Sequence, residues 1–569
     1  MKHENLNFND YPFVVPNAKI IEKKFVGFIQ ELGNAKSAKE TIAIINKINK
    51  YSENLGTQLS NIYVRYSLET NNPVYKEAQD KSNEISPVLS NYSTQISKIL
   101  VDSPFRKELE EKYGEYLFKM YEGNLKSFDP QIIPELIQEN KLVSEYDSIL
   151  GSAEISFRGE IYNLSQMGKF ASDKDRKTRK EASIAIDKWF GEHEERIGNI
   201  YSELVTLRDT MAKKLGFNNF VELGYLRLGR TDYNAEDVAN YRKQIQEVVV
   251  PVCQKLYKKQ MKLLGIKNPQ YYDYALKFAS GNPLPAGDAK YLVDAAHKMY
   301  SEMGEETKEF FEYMMNNNLM DLEARKGKTT GGYCTYFPKY KAPFIFSNFN
   351  GTEGDVNVLT HEGGHALQAY LSSAIKVPEY HSPTLESCEI HSMSMEFFAW
   401  DYAEDFFGKD ALKYKYLHLT DALEFLPYGI SIDEFQHWVY ENPTATHQER
   451  CAKWLEIEKK NTPHKKYEDT PTYAHGAFWI KQSHVFGVPF YYIDYTLAQV
   501  VAFQFLVEMR KNKQKAFKKY IKLCKFGGQA PFVKLLEKNK LRNPFINGNV
   551  EKVVKPLIKI IKTFDVESL

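Results

Sequence analysis

The sequence predicts a mainly α-helical fold with a small β-sheet set beside one histidine-bearing helix. Three observations carry that reading. Apolar residues recur at helical spacing through most of the chain, as in Ile20, Ile21, Phe25, Phe28 and Ile29, and in Leu109, Tyr113, Leu117 and Tyr121. Strand signals are few and dense, at residues 331–338 and 342–351, where aromatic and β-branched residues crowd between Gly and Pro. Directly after them, residues 354–368 contain His361-Glu362-Gly363-Gly364-His365.

Composition narrows the class. A chain of 569 residues can bury a large core, in one large or two closely joined domains. Apolar residues at 43% and charged residues at 26% suit a soluble globular protein. A net charge of +1 gives no argument for nucleic acid or an anionic membrane as partner. The first ten residues lack the apolar core of a signal peptide, and no run of 18 apolar residues exists. Cys253, Cys334, Cys388, Cys451 and Cys524 are scattered and odd in number, which suggests reduced thiols and a cytoplasmic location.

In chain order, residues 17–150 read as successive helices, punctuated at Asn71-Asn72-Pro73 and Ser103-Pro104. Residues 154–164 alternate around Arg158-Gly159 and read as a short hairpin, with a helix opening after Ser172. A soft boundary there would divide the chain into an N-terminal helical part with its hairpin, 1–165, and a catalytic part, 166–569. Residues 224–230 form a turn that could also serve as a hinge. Residues 235–264 give one or two core helices. In the strand region, Pro343 suits an edge strand, and such an edge could pair with the backbone of an extended peptide. Lysines between 511 and 525 read as a solvated helix face.

The chemistry concentrates in residues 354–368. Residues four apart stack on one face of a helix, so His361 and His365 aim two imidazoles at one point. Zinc takes neutral imidazole and keeps an open position for water when three protein ligands hold it. Glu362 lies beside that point and suits a general base for the water proton. Asp355 can cap the helix, and Val358, Leu359, Ala366 and Leu367 give it a buried face. Adjacent glycines cost a helix about 2 kcal/mol relative to alanine, a loss understandable if another backbone packs close by. For a third ligand, Glu389 and Glu396 share a face with Met393 and Phe397. Buried carboxylates there need a cation or donors, zinc for Glu389 and a histidine N–H for Glu396. Glu386 and His391 remain competitors. Residues 484–499 form a Gly/Pro-containing loop entering an apolar helix rich in tyrosine. Neutral donors of that kind can share the negative charge of a tetrahedral intermediate.

These residues carry a resemblance. His361-Glu362-Gly363-Gly364-His365, with Glu389 24 residues further on and Ser392 and Glu396 beyond, resembles the thimet oligopeptidase and oligoendopeptidase F family of zinc metallopeptidases. It is most similar to the bacterial oligoendopeptidase F and Pz-peptidase branch, which residues 154–176, 342–351 and 433–443 also resemble. The resemblance implies a two-lobed, zincin-like body with a deep substrate channel, and one Zn2+ per chain held by His361, His365 and Glu389. It implies hydrolysis of internal bonds in short peptides with Glu362 as base. It matches His484 and Tyr491 to the family's oxyanion-binding donors, with Tyr495 next; Tyr492 reads as core and His475 as a weaker donor candidate. One departure is Asn357, where many relatives carry an acid.

Overall fold

The computed structural model describes residues 5–569. Of its residues 70% are helical, and the strands form one two-stranded and one three-stranded sheet, so the fold is mainly α. Many helix starts follow from local chemistry. Asn17 and Asn72 cap the next helices with their side chains, and Asn234 with Asp237 and Thr446 with Glu449 form reciprocal capping boxes.

The helices pack around two cores. The smaller gathers Ile21, Phe25, Ile44, Ile48, Tyr92, Leu109 and Phe118, with Phe25 stacked on Tyr92 at 5.3 Å. Tyr380, from far along the chain, enters it; its hydroxyl accepts from Leu117 N at 3.0 Å and donates to Tyr113 O at 2.9 Å. The larger core takes in nearly everything else, including Leu142, Tyr146, Leu150, Ile155 and Phe157. The two cores do not divide the chain at one point, since Phe8, Tyr11, Val64 and Leu68 also join the larger one. Helix Ile133–Gly151 joins the larger core through Tyr146, which stacks on Phe486 at 3.9 Å and donates to Ile480 O at 3.0 Å.

Strands β1 (Ile155–Phe157) and β2 (Glu160–Tyr162) form the expected hairpin. Its two-residue turn places Arg158 at φ 52 and Gly159 at φ 87, the positive-φ pair that matches strand twist. Residues 224–230 end helix Phe220–Arg227 through Gly229 at φ +68, and residues 235–263 form one helix with Pro251 inside it. The main sheet comprises β3 (Met320–Glu323), β4 (Tyr333–Phe337) and β5 (Ala342–Phe349), in the order β3-β5-β4. This corrects the placing of Pro343. It lies on the central strand, and β3 and β4 are the edges. Proline is tolerated because β3 begins to pair only at Ile345, so Pro343 has one neighbour, Tyr336 of β4.

Candidate functional site

Strand β5 runs into the motif helix, Gly354–Ser372. Asp355 does not cap this helix as expected. It lies within the first turn and accepts from Asn350 N at 2.9 Å and Gly351 N at 2.8 Å, closing the strand-to-helix turn. The paired glycines are explained by what faces them. A Cβ on Gly364 would sit 2.7 Å from His391 O and Ser392 Cα, and one on Gly363 would sit 2.3 Å from Tyr300 Oη. The motif helix thus lies backbone to backbone against helix Leu385–Phe398. That approach brings Glu389 across from both histidines.

The carboxylate Oε2 of Glu389 is 3.1 Å from His361 Nε2 and 3.3 Å from His365 Nε2. These ligand atoms all lie within 4.8 Å of one another. Glu386 and His391, both buried, are not part of this group. Ser392 Oγ donates to Glu389 Oε2 at 2.9 Å. Burial alone would raise the Glu389 carboxyl, but His365 and His361 outweigh it and hold it well below the usual carboxylate range.

A second carboxylate orients the first histidine. His361 Nδ1–H donates to Glu396 Oε1 at 2.7 Å, and His418 Nε2–H donates to Glu396 Oε2 at 2.7 Å. Trp400 Nε1–H donates to His418 Nδ1 at 2.9 Å, which fixes the His418 tautomer. Burial lowers the His361 imidazole, but Glu389 and Glu396 outweigh it and raise it well above its usual value, so Nε2 faces Glu389 Oε2 with either a proton or a metal ion between them. Two imidazole nitrogens with one carboxylate oxygen form a donor set that fits zinc. Asn357, the departure from the family pattern, accepts from Tyr414 Oη at 2.8 Å and stands outside this relay. Glu362 is 6% exposed, and its Oε2 finds no hydrogen-bond partner among the described residues. Burial raises its carboxyl, partly offset by His361 and His365.

The aromatic loop stands over the same carboxylate. Tyr491 Oη donates to Glu389 Oε1. His484 Nδ1 accepts from Gln482 Nε2 at 2.9 Å, so its Nε2–H is directed at Tyr495 Oη, 3.1 Å away. Burial brings the His484 imidazole down to about 4, so it stays neutral. Two buried arginines hold the loop by its carbonyls. Arg208 donates to Phe486 O, and Arg230 donates to Phe490 O at 2.7 Å and to Asp494 Oδ1 at 2.6 Å. Phe490 is at φ 66, strained for a residue with a Cβ, and its ring packs against Gly224, where a Cβ would meet it at 2.7 Å. Tyr492 is half-buried with Tyr495, Phe425, Met393 and Gln482 around a cavity of about 390 Å³ beside the site. His475 is elsewhere, bonded to Glu194.

Sequence reasoning missed His418, Trp400, Gln482, Arg208 and Arg230. His418 sits in an apolar helix, Ala411–Glu441, with no spacing that ties it to the motif. Arg230 was visible only as the end of a turn.

Comparison with known proteins gives a consistent picture. Residues 169–553 match the model of peptidase family M3, and residues 8–128 match the peptidase M3 N-terminal domain. An oligoendopeptidase F homolog of Borreliella burgdorferi is 23% identical over 504 residues, 85% of this chain and 79% of that protein. A solved structure of Pz peptidase A with an inhibitor is 47% identical, covering 99% of this chain and 100% of that one, with a TM-score of 0.98. An oligoendopeptidase F structure from Enterococcus faecium, 14% identical with a TM-score of 0.61 over 97% of this chain and 98% of that one, shares the fold.

Proposed function

The chain belongs to peptidase family M3 and is a metalloendopeptidase, and from that premise we propose that it hydrolyses internal bonds of short peptides at a zinc centre held by His361, His365 and Glu389. The observation that supports this most is the convergence of both Nε2 atoms on Glu389 Oε2, with Glu362 beside them. Zinc bound there would polarise the scissile carbonyl and lower the pKa of a water molecule.

The residues of the chain divide the remaining work. Glu362, lacking an internal partner on Oε2, takes the proton of the attacking water and passes it to the leaving amine. Tyr491, Tyr495 and the neutral His484 supply donors for the charge that develops on the carbonyl oxygen. Glu396, braced by His418 and Trp400, keeps His361 in the tautomer that faces the metal. The edge strand we assign to peptide pairing is β4 rather than the central β5. Gly332, at its start, approaches Glu362: a Cβ there would lie 3.6 Å from Oε1. The cavity beside Tyr492 and Phe425 takes a substrate side chain. A channel between the lobes would admit short peptides and exclude folded proteins. All five cysteines are unpaired, which supports a reducing, cytoplasmic setting. Among the described residues no helix is long and apolar enough to cross a membrane.

The test is mass spectrometry of a peptide of roughly ten residues, about 33 Å when extended, acetylated and amidated, after incubation with the zinc-loaded protein. Internal cuts are expected. An intact blocked peptide, with the unblocked form trimmed from one end, would overturn the endopeptidase reading.

A further inference from the structure

Among the described residues a second group has metal-ligand spacing, and it shares no residue with the site above. It comprises Glu194, His447 and Cys451, whose ligand atoms lie within 4.8 Å of one another. Glu194 is on helix Arg176–Lys214. His447 and Cys451 are four apart on helix His447–Asn461, hence on one face. His475, just after helix Pro471–Ala474, is outside that group of three but meets the same Glu194 from a third element.

As at the peptidase centre, two imidazole nitrogens converge on one carboxylate oxygen. His447 Nε2 is 2.8 Å and His475 Nε2 is 2.7 Å from the same Glu194 Oε1. Cys451 Sγ is 3.5 Å from His447 Nε2. His475 Nδ1–H donates to Pro471 O at 2.9 Å, which leaves Nε2 unprotonated in the neutral ring. Both imidazoles meet Glu194 Oε1 at hydrogen-bond distance, and a metal ion would take the place of the proton shared there, with a small outward shift of the rings. Two glycines shape the pocket. A Cβ on Gly198 would lie 2.8 Å from His447 Nδ1, and one on Gly476, at φ +102, would lie 2.2 Å from Cys451 O. Side-chain exposure is 17% for Glu194, 25% for His447 and 52% for His475, so an ion can enter from solvent, while Cys451 is buried.

We propose that Glu194, His447, Cys451 and His475 form a second transition-metal site, of the zinc class. Four protein ligands including a thiolate and two imidazoles make a closed, structural set rather than a hydrolytic one. Binding would deprotonate the Cys451 thiol, its proton passing to solvent. The ion would tie two long helices to the turn at Gly476, from which the chain runs directly into Gln482 and His484. The site would thus fix the base of the donor loop from outside. The chain would carry two metal ions rather than the single Zn2+ expected from the resemblance.

Cobalt(II) distinguishes the two sites, because only one offers a thiolate. The metal-free full-length protein is titrated with Co2+ and followed by near-ultraviolet absorption and by bound-metal analysis. Two equivalents are expected, with a thiolate-to-cobalt charge-transfer band accompanying one of them. Cys451→Ser should abolish the band and remove one equivalent while circular dichroism shows the helices intact. His475→Ala, at a half-exposed position, should weaken the same equivalent if the serine variant does not fold. His365→Ala should lose the other equivalent and keep the band. Saturation at one equivalent with no band in the wild-type protein, or a band that survives Cys451→Ser, overturns the proposal. Both results are independent of peptide hydrolysis.

Discussion

Glu362→Gln separates binding of the metal from use of it. The amide keeps the shape of the side chain but cannot take a proton. We expect metal content as in the wild-type protein and a kcat lower by about 10²–10⁴. Unchanged turnover in a quench-based peptide assay would remove Glu362 from the mechanism. Glu396→Gln probes the neighbouring role. Glu396 accepts from both His361 and His418, and an amide can accept at one end only. Metal affinity should fall by roughly 10–100-fold, read by competition with a chelating dye. An unaltered affinity would make Glu396 a packing residue. His361 and His365 were legible in the sequence through their helical spacing, with Glu362 beside the first; spacing put Glu389 and Glu396 on one face but left Glu386 open, and only the family resemblance favoured Glu389. His418 and Trp400 were not legible, since they reach Glu396 through a tertiary contact between helices that leaves no local pattern.

Helix contact distance governs the next scale. The cost of Gly363-Gly364 within a helix was visible in the sequence as an anomaly, and its cause, a close backbone, could be anticipated. Which backbone it was could not, because nothing local marks His391 and Ser392 as the facing residues. Gly364→Ala would push a methyl group to 2.7 Å from His391 O and Ser392 Cα. Those atoms are main chain and cannot rotate away, so the two helices must separate. We expect about 1–3 kcal/mol of destabilisation and weaker metal binding, as Glu389 withdraws from the histidines. A variant with wild-type Tm and wild-type metal affinity would show that the close approach does not set the ligand geometry. The misplaced edge strand has a similar origin. Proline does mark a position without a neighbour on one side, but β3 is too short to cover that position of β5, and strand length in a three-stranded sheet is decided by tertiary packing rather than by the strand's own residues.

At the scale of the molecule, buried charge links helix Ile133–Gly151 to the donor loop. Glu139, on helix Ile133–Gly151, is bonded to Arg208 Nε at 2.7 Å and Arg227 Nη2 at 2.9 Å. Arg208 extends the network to Tyr440 Oη at 2.9 Å and to Phe486 O in the donor loop. The carboxyl is 3% exposed by residue, and breaking such a buried pair is costly because it strands the remaining charge. Burial pushes Glu139 up, but Arg227 and Arg208 outweigh it and bring it from 4.5 down to about 2. A folded-state pKa below the unfolded value means stability that is fully present above about pH 4.5 and is lost as pH falls toward 2. Glu139→Gln mimics the protonated form at every pH. Wild-type protein should therefore exceed the variant by on the order of 3 kcal/mol near neutrality, and the gap should close as pH falls from 4.5 toward 2. Thermal unfolding of both proteins across that window provides the measurement. A gap that stays constant with pH would mean that the network stabilises through packing and hydrogen bonding alone, with no net contribution from the carboxylate charge.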